Sequence, residues 1–329
     1  MQFDALVVKD DFKIGHYLTL KYTDSNPKKS LKVNIAPKFG SNIFHFSVGE
    51  NNIIYCDREL LIKKDFTGNF VLWPIPNRVR DKKYVFNGQK YSLENIKRPR
   101  GNDVLIHGLA FDREWRYKDP IVSKDFASVE TYIDITPESP NYSAYPFASR
   151  LSLEYKLSKQ SIKIKYTIRN NSSLEMPFGF GLHPYFSTLS GEDKAFVMLP
   201  ADYVMEADNQ LLPSGKLKNV TDTEYDLRQP KSVDLLNLDH VFTGLRGKAY
   251  IEYKKQKMKI YLNTSEEFTH IVLYTMEKNK GFICLENQTC STDSINLDAK
   301  GFKKEAHLLT IAPGKSFTGY IEYKFEYSL

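Results

Sequence analysis

The chain has 329 residues, with 46 Lys and Arg against 40 Asp and Glu and a formal net charge of +6. The lysines are scattered, with only small clusters such as Lys254, Lys255 and Lys257, so the basic stripe or reading motif that nucleic-acid binding requires is missing. No stretch approaches the length of a membrane span, and Cys56, Cys284 and Cys290 are odd in number without C-x-x-C spacing, which excludes a disulfide framework and a cysteine zinc site.

The opening M-Q-F-D-A-L-V-V-K-D-D lacks the basic start and long apolar run of a signal peptide, so a cytoplasmic protein is expected. No Pro/Gly/Ser-rich linker, fixed-period repeat or shift of composition divides residues 1–329, and one domain is the simpler expectation. Residues 57–64 predict a short helix, and no long 3.6-residue periodicity competes elsewhere. Next come P-I-P-N-R-V-R at 74–80, holding Asn77 and Arg78, and I-H-G-L-A-F-D-R-E-W at 106–115, holding His107 and Trp115.

Apolar residues alternate with polar ones through 129–135 and 151–157. After S-K-Q-S they alternate again at Ile162, Ile164, Tyr166 and Ile168, which predicts a hairpin. The hairpin leads into F-G-F-G-L-H-P-Y-F at 178–186. There Gly179 and Gly181 are expected to let the backbone approach a ligand, Pro184 fixes the chain after His183, and Phe180, Tyr185 and Phe186 offer flat faces to a sugar ring. Further on lie Y-D-L-R-Q-P at 225–230, N-L-D-H-V-F at 237–242 with Asp239, and alternating runs at 249–253, 258–262 and 321–327. In F-I-C-L-E-N-Q-T at 282–289, Glu286 interrupts an apolar run, where a charge is costly unless it is paired or used. Many antiparallel strands with few short helices predict an all-β fold of packed sheets.

Taken in order, these motifs resemble the aldose 1-epimerase (galactose mutarotase) family from about Gly40 to about Asn296. The resemblance implies a large galactose mutarotase-like antiparallel β-sandwich that binds ligands on a concave sheet face. It implies interconversion of the α and β anomers of a free aldohexose, with Glu286 as base, His183 as acid and His107 as a second histidine that holds the sugar. Asn77, Arg78, His107, His183, Tyr185 and Asp239 become the expected sugar contacts. The expected partner is a small-molecule sugar, with no metal and no cofactor, because moving a proton off one oxygen and onto another needs only a base and an acid. A monomer or weak homodimer is expected.

The pattern also departs from the family. His107 is followed by Gly-Leu-Ala rather than Gly-Gly, and Val272 stands where galactose-acting members commonly carry glutamine. The H-G-x-A arrangement with a downstream tryptophan resembles hexose-6-phosphate mutarotases, whose phosphate clamp Arg78, Arg80, Arg98, Arg100, Arg113 and Arg116 could supply. At most part of this basic set, however, is expected to reach one pocket. The residues are also compatible with a silent carbohydrate-binding protein, or with a glycoside hydrolase using Asp239 and Glu286 as its carboxylate pair.

Overall fold

The computed structural model describes residues 1–10, 13–96, 105–189, 195–275 and 281–327. Two large antiparallel sheets, of 12 and 10 strands, carry the architecture. The expected hairpin is present as Ser149–Leu157 paired with Ser161–Asn170, at the heart of the 10-stranded sheet. Alternate residues on these strands are buried, because one face packs inward and the other meets water.

Between the sheets lies a shared apolar core. Leu18, Val33, Ile35 and Phe46 enter it from the 12-stranded sheet, and Leu151, Leu153, Ile164 and Ile321 from the other. Phe46 meets Phe325 edge-on at 5.2 Å, and Phe186 meets Tyr323 at 5.3 Å, so aromatic pairs cross the interface. Each fully buried aliphatic or aromatic side chain contributes about 1.5–3 kcal/mol before the entropy of ordering is subtracted.

The opposite face of the 12-stranded sheet holds the site. Its middle strands run in the order Asn69–Leu72, Gly181–Ser187, Phe282–Gln288, His270–Tyr274 and Asp239–Leu245. On them Val71, Leu182, Phe186, Ile283, Leu285, Ile271 and Leu273 point into the inter-sheet core. Phe70, Tyr185 and Cys284 lie on the other face, in a separate apolar cluster.

The expected helix at 57–64 forms as Arg58–Ile62, started by the Asp57 carboxylate accepting from the Glu59 and Leu60 amides. Two more short helices, Ser294–Ala299 and Lys303–Ala306, cover part of the site face, where Leu297 and Ala306 pack on Val241 and Val272. Among the described residues no helix is long and apolar enough to cross a membrane. Cys56, Cys284 and Cys290 are not joined in disulfides.

Candidate active site

A cavity of about 430 Å³ opens over the middle strands, within the size range of small-molecule sites. Asn77, Arg78, His107, His183, Tyr185, Asp239 and Glu286 all line it. Tyr55, Asp57, Leu60, Phe66, Ile106, Val272, Tyr274 and Phe282 complete the wall.

The register of the sheet brings the polar groups together. Gly181 pairs with Gln288 and Tyr185 with Cys284, which sets His183 across from Glu286 on the adjacent strand. His183 Nε2 lies 3.2 Å from Glu286 Oε1, and both side chains are nearly inaccessible to water. The second carboxylate oxygen, Oε2, accepts from the Gln288 amide at 3.1 Å. Phe70 and Tyr185 stack on the imidazole, with ring centroids at 4.6 and 4.9 Å, and hold its plane.

Burial sets the protonation of this pair. It pushes Glu286 well above the usual carboxylate range, helped by the negative charge of Asp239 and opposed by Gln288 and Arg78. It pushes His183 down to about 3, with Arg78 adding to the depression. Both shifts have one cause, since a low-dielectric site penalises the charged form of either group. The neutral and ionised forms of the pair therefore hold the same single mobile proton and differ only in which residue carries it.

His107 and Asn77 reach the cavity from strained backbone. Each is a non-glycine residue with positive φ, 67° and 56°, and the His107 amide donates to the Asn77 carbonyl at 2.8 Å. Arg78–Val79 pairs with Leu105–Ile106, tying the two loops into one ladder. Gly108, also with positive φ, lets this turn sit against Trp73, where an added Cβ would fall 2.5 Å from the Trp73 carbonyl oxygen. The His107 ring stands edge-on to His183 at 4.9 Å.

Arg78 donates to Asn77 Oδ1 at 3.1 Å and lies 3.5 Å from Asp239 Oδ2. Burial raises the Asp239 pKa, with Arg78 and His240 pulling it back. This cluster offers both donors and acceptors, the mixture that sugar hydroxyls require. Among the described residues no group of three or more His, Cys, Asp and Glu side chains is arranged to hold a metal.

Some expectations about the motif at 178–186 need correction. Phe180 and Phe186 are fully buried on the core side, Phe180 stacked on Tyr166 at 4.1 Å, so of the three aromatic residues only Tyr185 lines the cavity. Alternation along the Gly181–Ser187 strand sends Phe186 away from the face that carries His183. Gly179 and Gly181 serve the packing of the protein itself. A Cβ at Gly179 would fall 2.3 Å from Cys290 Sγ, and one at Gly181 would fall 2.9 Å from the Asn287 carbonyl oxygen. Trp115 fills the core and donates to the Ala110 carbonyl.

The arginines separate for a local reason, since a spacing of two along a strand would put Arg78 and Arg80 on one face: the strand Arg78–Val79 ends there and Arg80 opens the 3-10 turn Arg80–Lys82. Arg78 faces the cavity, whereas Arg80 pairs with Asp208 at 2.8 Å and approaches Asp293. Arg113 donates to the Pro140 carbonyl, and Arg116 reaches toward Asp134. Arg98 and Arg100 lie outside the described residues.

The paired sheets, with a polar cavity on the outer face of one of them, define a galactose mutarotase-like β-sandwich. Solved structures agree. The chain superposes with a TM-score of 0.83 on a galactose mutarotase-like protein from Clostridium acetobutylicum, at 21% identity and with 99% of both chains covered. With a galactose 1-epimerase from Lactobacillus acidophilus the TM-score is 0.76, at 19% identity and full coverage of both chains. In sequence it is 24% identical to the uncharacterised Escherichia coli protein YihR, covering 74% of this chain and 75% of that one. The aldose 1-epimerase family model matches residues 21–324, and the chain belongs to that family.

Proposed function

We propose that this protein is an aldose 1-epimerase, acting as one unit over residues 1–329, that interconverts the α and β anomers of a free aldohexose. The observation that carries this reading is the buried contact between His183 and Glu286, at 3.2 Å, inside a cavity lined by hydroxyl-binding groups.

Ring opening removes the proton from the anomeric hydroxyl and delivers one to the ring oxygen. The C1–O5 bond breaks as the C1–O1 bond becomes a carbonyl. Rotation about C1–C2 then presents the other face of the aldehyde, and the two proton transfers reverse on closure. Glu286 takes the anomeric proton and His183 supplies the other, so the pair returns to its starting state after each turnover. The shifts on both groups suit these tasks. A carboxylate whose pKa is raised by burial is a stronger base once ionised, and an imidazolium whose pKa is depressed is a stronger acid. Bound sugar hydroxyls supply the polar surroundings that the ionised form of the pair requires. His107 polarises the ring oxygen, Asn77, Arg78 and Asp239 hold hydroxyls, and Tyr185 offers its ring to the apolar face of the sugar.

The disposition of the arginines favours a free sugar over its 6-phosphate. A phosphate dianion needs several converging donors, and among the described arginines Arg78 is the one that lines the cavity.

Proton NMR exchange at the anomeric centre tests the proposal. Catalysed exchange in glucose or galactose, with no cleavage of a methyl glycoside, is the expected outcome. A methyl glycoside has no free anomeric hydroxyl whose proton could be removed, so its hydrolysis without anomer exchange would instead indicate a glycosidase.

A further inference from the structure

Next to the row of His183 and Glu286, the adjoining row on the same sheet face is polar and fully covered. Gly181, Gln288 and His270 follow one another across three strands, all buried. The Gln288 amide nitrogen donates to Glu286 Oε2 at 3.1 Å, while Glu286 Oε1 faces His183. Gly181 makes room for this side chain, because a Cβ there would approach Gln288 Cγ to 3.0 Å. Gln288 is wholly inaccessible to water, and its carbonyl oxygen has no hydrogen-bond partner among the described residues. The amide thus directs its one contact to the carboxylate.

We propose that Gln288 is a positioning residue that directs the mobile proton of Glu286 to Oε1, the oxygen facing His183. The inference rests on the acid–base reading of that pair. An amide N–H can only donate, so the oxygen that accepts from it is a poor seat for a proton. The proton is confined to the other oxygen, on the side where His183 and the sugar meet. The same bond fixes the rotation of the carboxyl group and favours its ionised form.

Other groups act on Glu286, but from different directions. His183 faces it from the neighbouring strand, Asp239 and Arg78 act on it across the cavity, and Asp57 and His107 line the same cavity from loops. His270, directly opposite Gln288, is pushed down to about 3 by burial and by nearby His307, so it is uncharged at neutral pH; the backbone of Glu305 touches its ring.

Two substitutions test this by different routes. Gln288→Met keeps the length and loses the donor, and Gln288→Asn keeps the amide but draws it back by one methylene. Each is expected to lower kcat on the order of tenfold with KM changed by less than about twofold, the size expected for a lost hydrogen bond to a charged group. The low-pH limb of the kcat profile should move upward by about one unit, because Glu286 loses a donor that favoured its ionised form. A purely structural role would lower the melting temperature and leave that limb in place. If Gln288→Met does not fold, Gln288→Asn decides alone. A folded variant with the wild-type limb, or a loss confined to KM, overturns the proposal. Glu286→Gln run alongside separates the two readings. If it is inactive while the limb stays fixed in the Gln288 variants, only the positioning role fails; if it has wild-type turnover, the base assignment and this inference fail together.

Discussion

His183 and Glu286 stand opposite one another on adjacent antiparallel strands, imidazole Nε2 3.2 Å from carboxylate Oε1, with both side chains sealed from water. Neither group keeps its ordinary acidity there, and the effect on stability can be read separately for each.

Glu286 has a folded pKa raised above its ordinary 4.5, so its contribution is fully present below about pH 4.5 and is lost as pH rises through the folded value. His183 is lowered from 6.5 to about 3, so its contribution is present above about pH 6.5 and is lost as pH falls toward 3. Glu286→Gln should therefore raise the melting temperature at neutral pH, with the gain vanishing near pH 4.5. His183→Asn should flatten part of the loss between pH 6.5 and 3; His270, also lowered to about 3, and His45 and His240, lowered by burial as well, keep contributing to what remains. Calorimetric melts from pH 3 to 8 check both signs; a Glu286→Gln variant less stable than wild type at pH 8 contradicts the first.

The two cavity histidines should fail differently. His183→Asn removes the acid and is expected to reduce kcat by about 10²–10⁴-fold with a small change in KM. His107→Asn should lower kcat and raise KM together, because that ring also positions the sugar. Steady-state polarimetry separates these outcomes, and equal, small effects at both positions would favour structural roles.

Strand character was legible where one face meets water, as in the 151–157 and 162–168 hairpin, because alternation needs a polar side to be visible. Along Phe282–Gln288 every residue is buried, and there sequence shows only an apolar run broken by Glu286. The seven expected site residues were found by motif. Tyr55, Asp57, Phe66, Tyr274 and Phe282 join them through the tertiary fold, and only Phe282 sat inside a motif that suggested a site. For Gln288, the sole signal was its spacing of two from Glu286, which puts both on one face of a strand. The same rule, applied to 181–187, would have turned Phe186 away from the sugar.

Substrate charge gives a third prediction. The free hexose should be turned over better than its 6-phosphate, with kcat/KM nearly independent of salt, since screening acts chiefly on charged ligands. Arg78→Gln should raise KM, whereas Arg80→Gln, removing a group engaged with Asp208 and with buried Asp293, should leave kcat/KM within about twofold, because Arg80 does not line the cavity and its partly exposed pair with Asp208 contributes little. A higher kcat/KM for the 6-phosphate that falls with salt would show that a phosphate clamp operates.

The turn that carries His107 gives a fourth. Gly108→Ala places a methyl group against the Trp73 carbonyl at a backbone with φ of +68°, and the displaced turn should carry His107 with it. Gly88→Ala has the same sign of φ but open space around it, so it bears only the backbone cost of about 1–2 kcal/mol. Turnover should drop about tenfold or more in the first, as positional errors near reacting groups do, and stay at wild type in the second. Equal activity in both variants would disconnect the turn from catalysis.

The most direct measurement is anomeric exchange in a free aldohexose, followed by NMR for wild type and for folded Glu286→Gln. The amide nearly matches the carboxylate in shape but cannot accept the anomeric proton. Catalysed exchange by wild type, falling by about 10²–10⁴-fold in the variant while sugar binding persists, is the predicted result. Wild-type exchange rates in Glu286→Gln, or no catalysed exchange by the native protein with any free aldohexose, would contradict it.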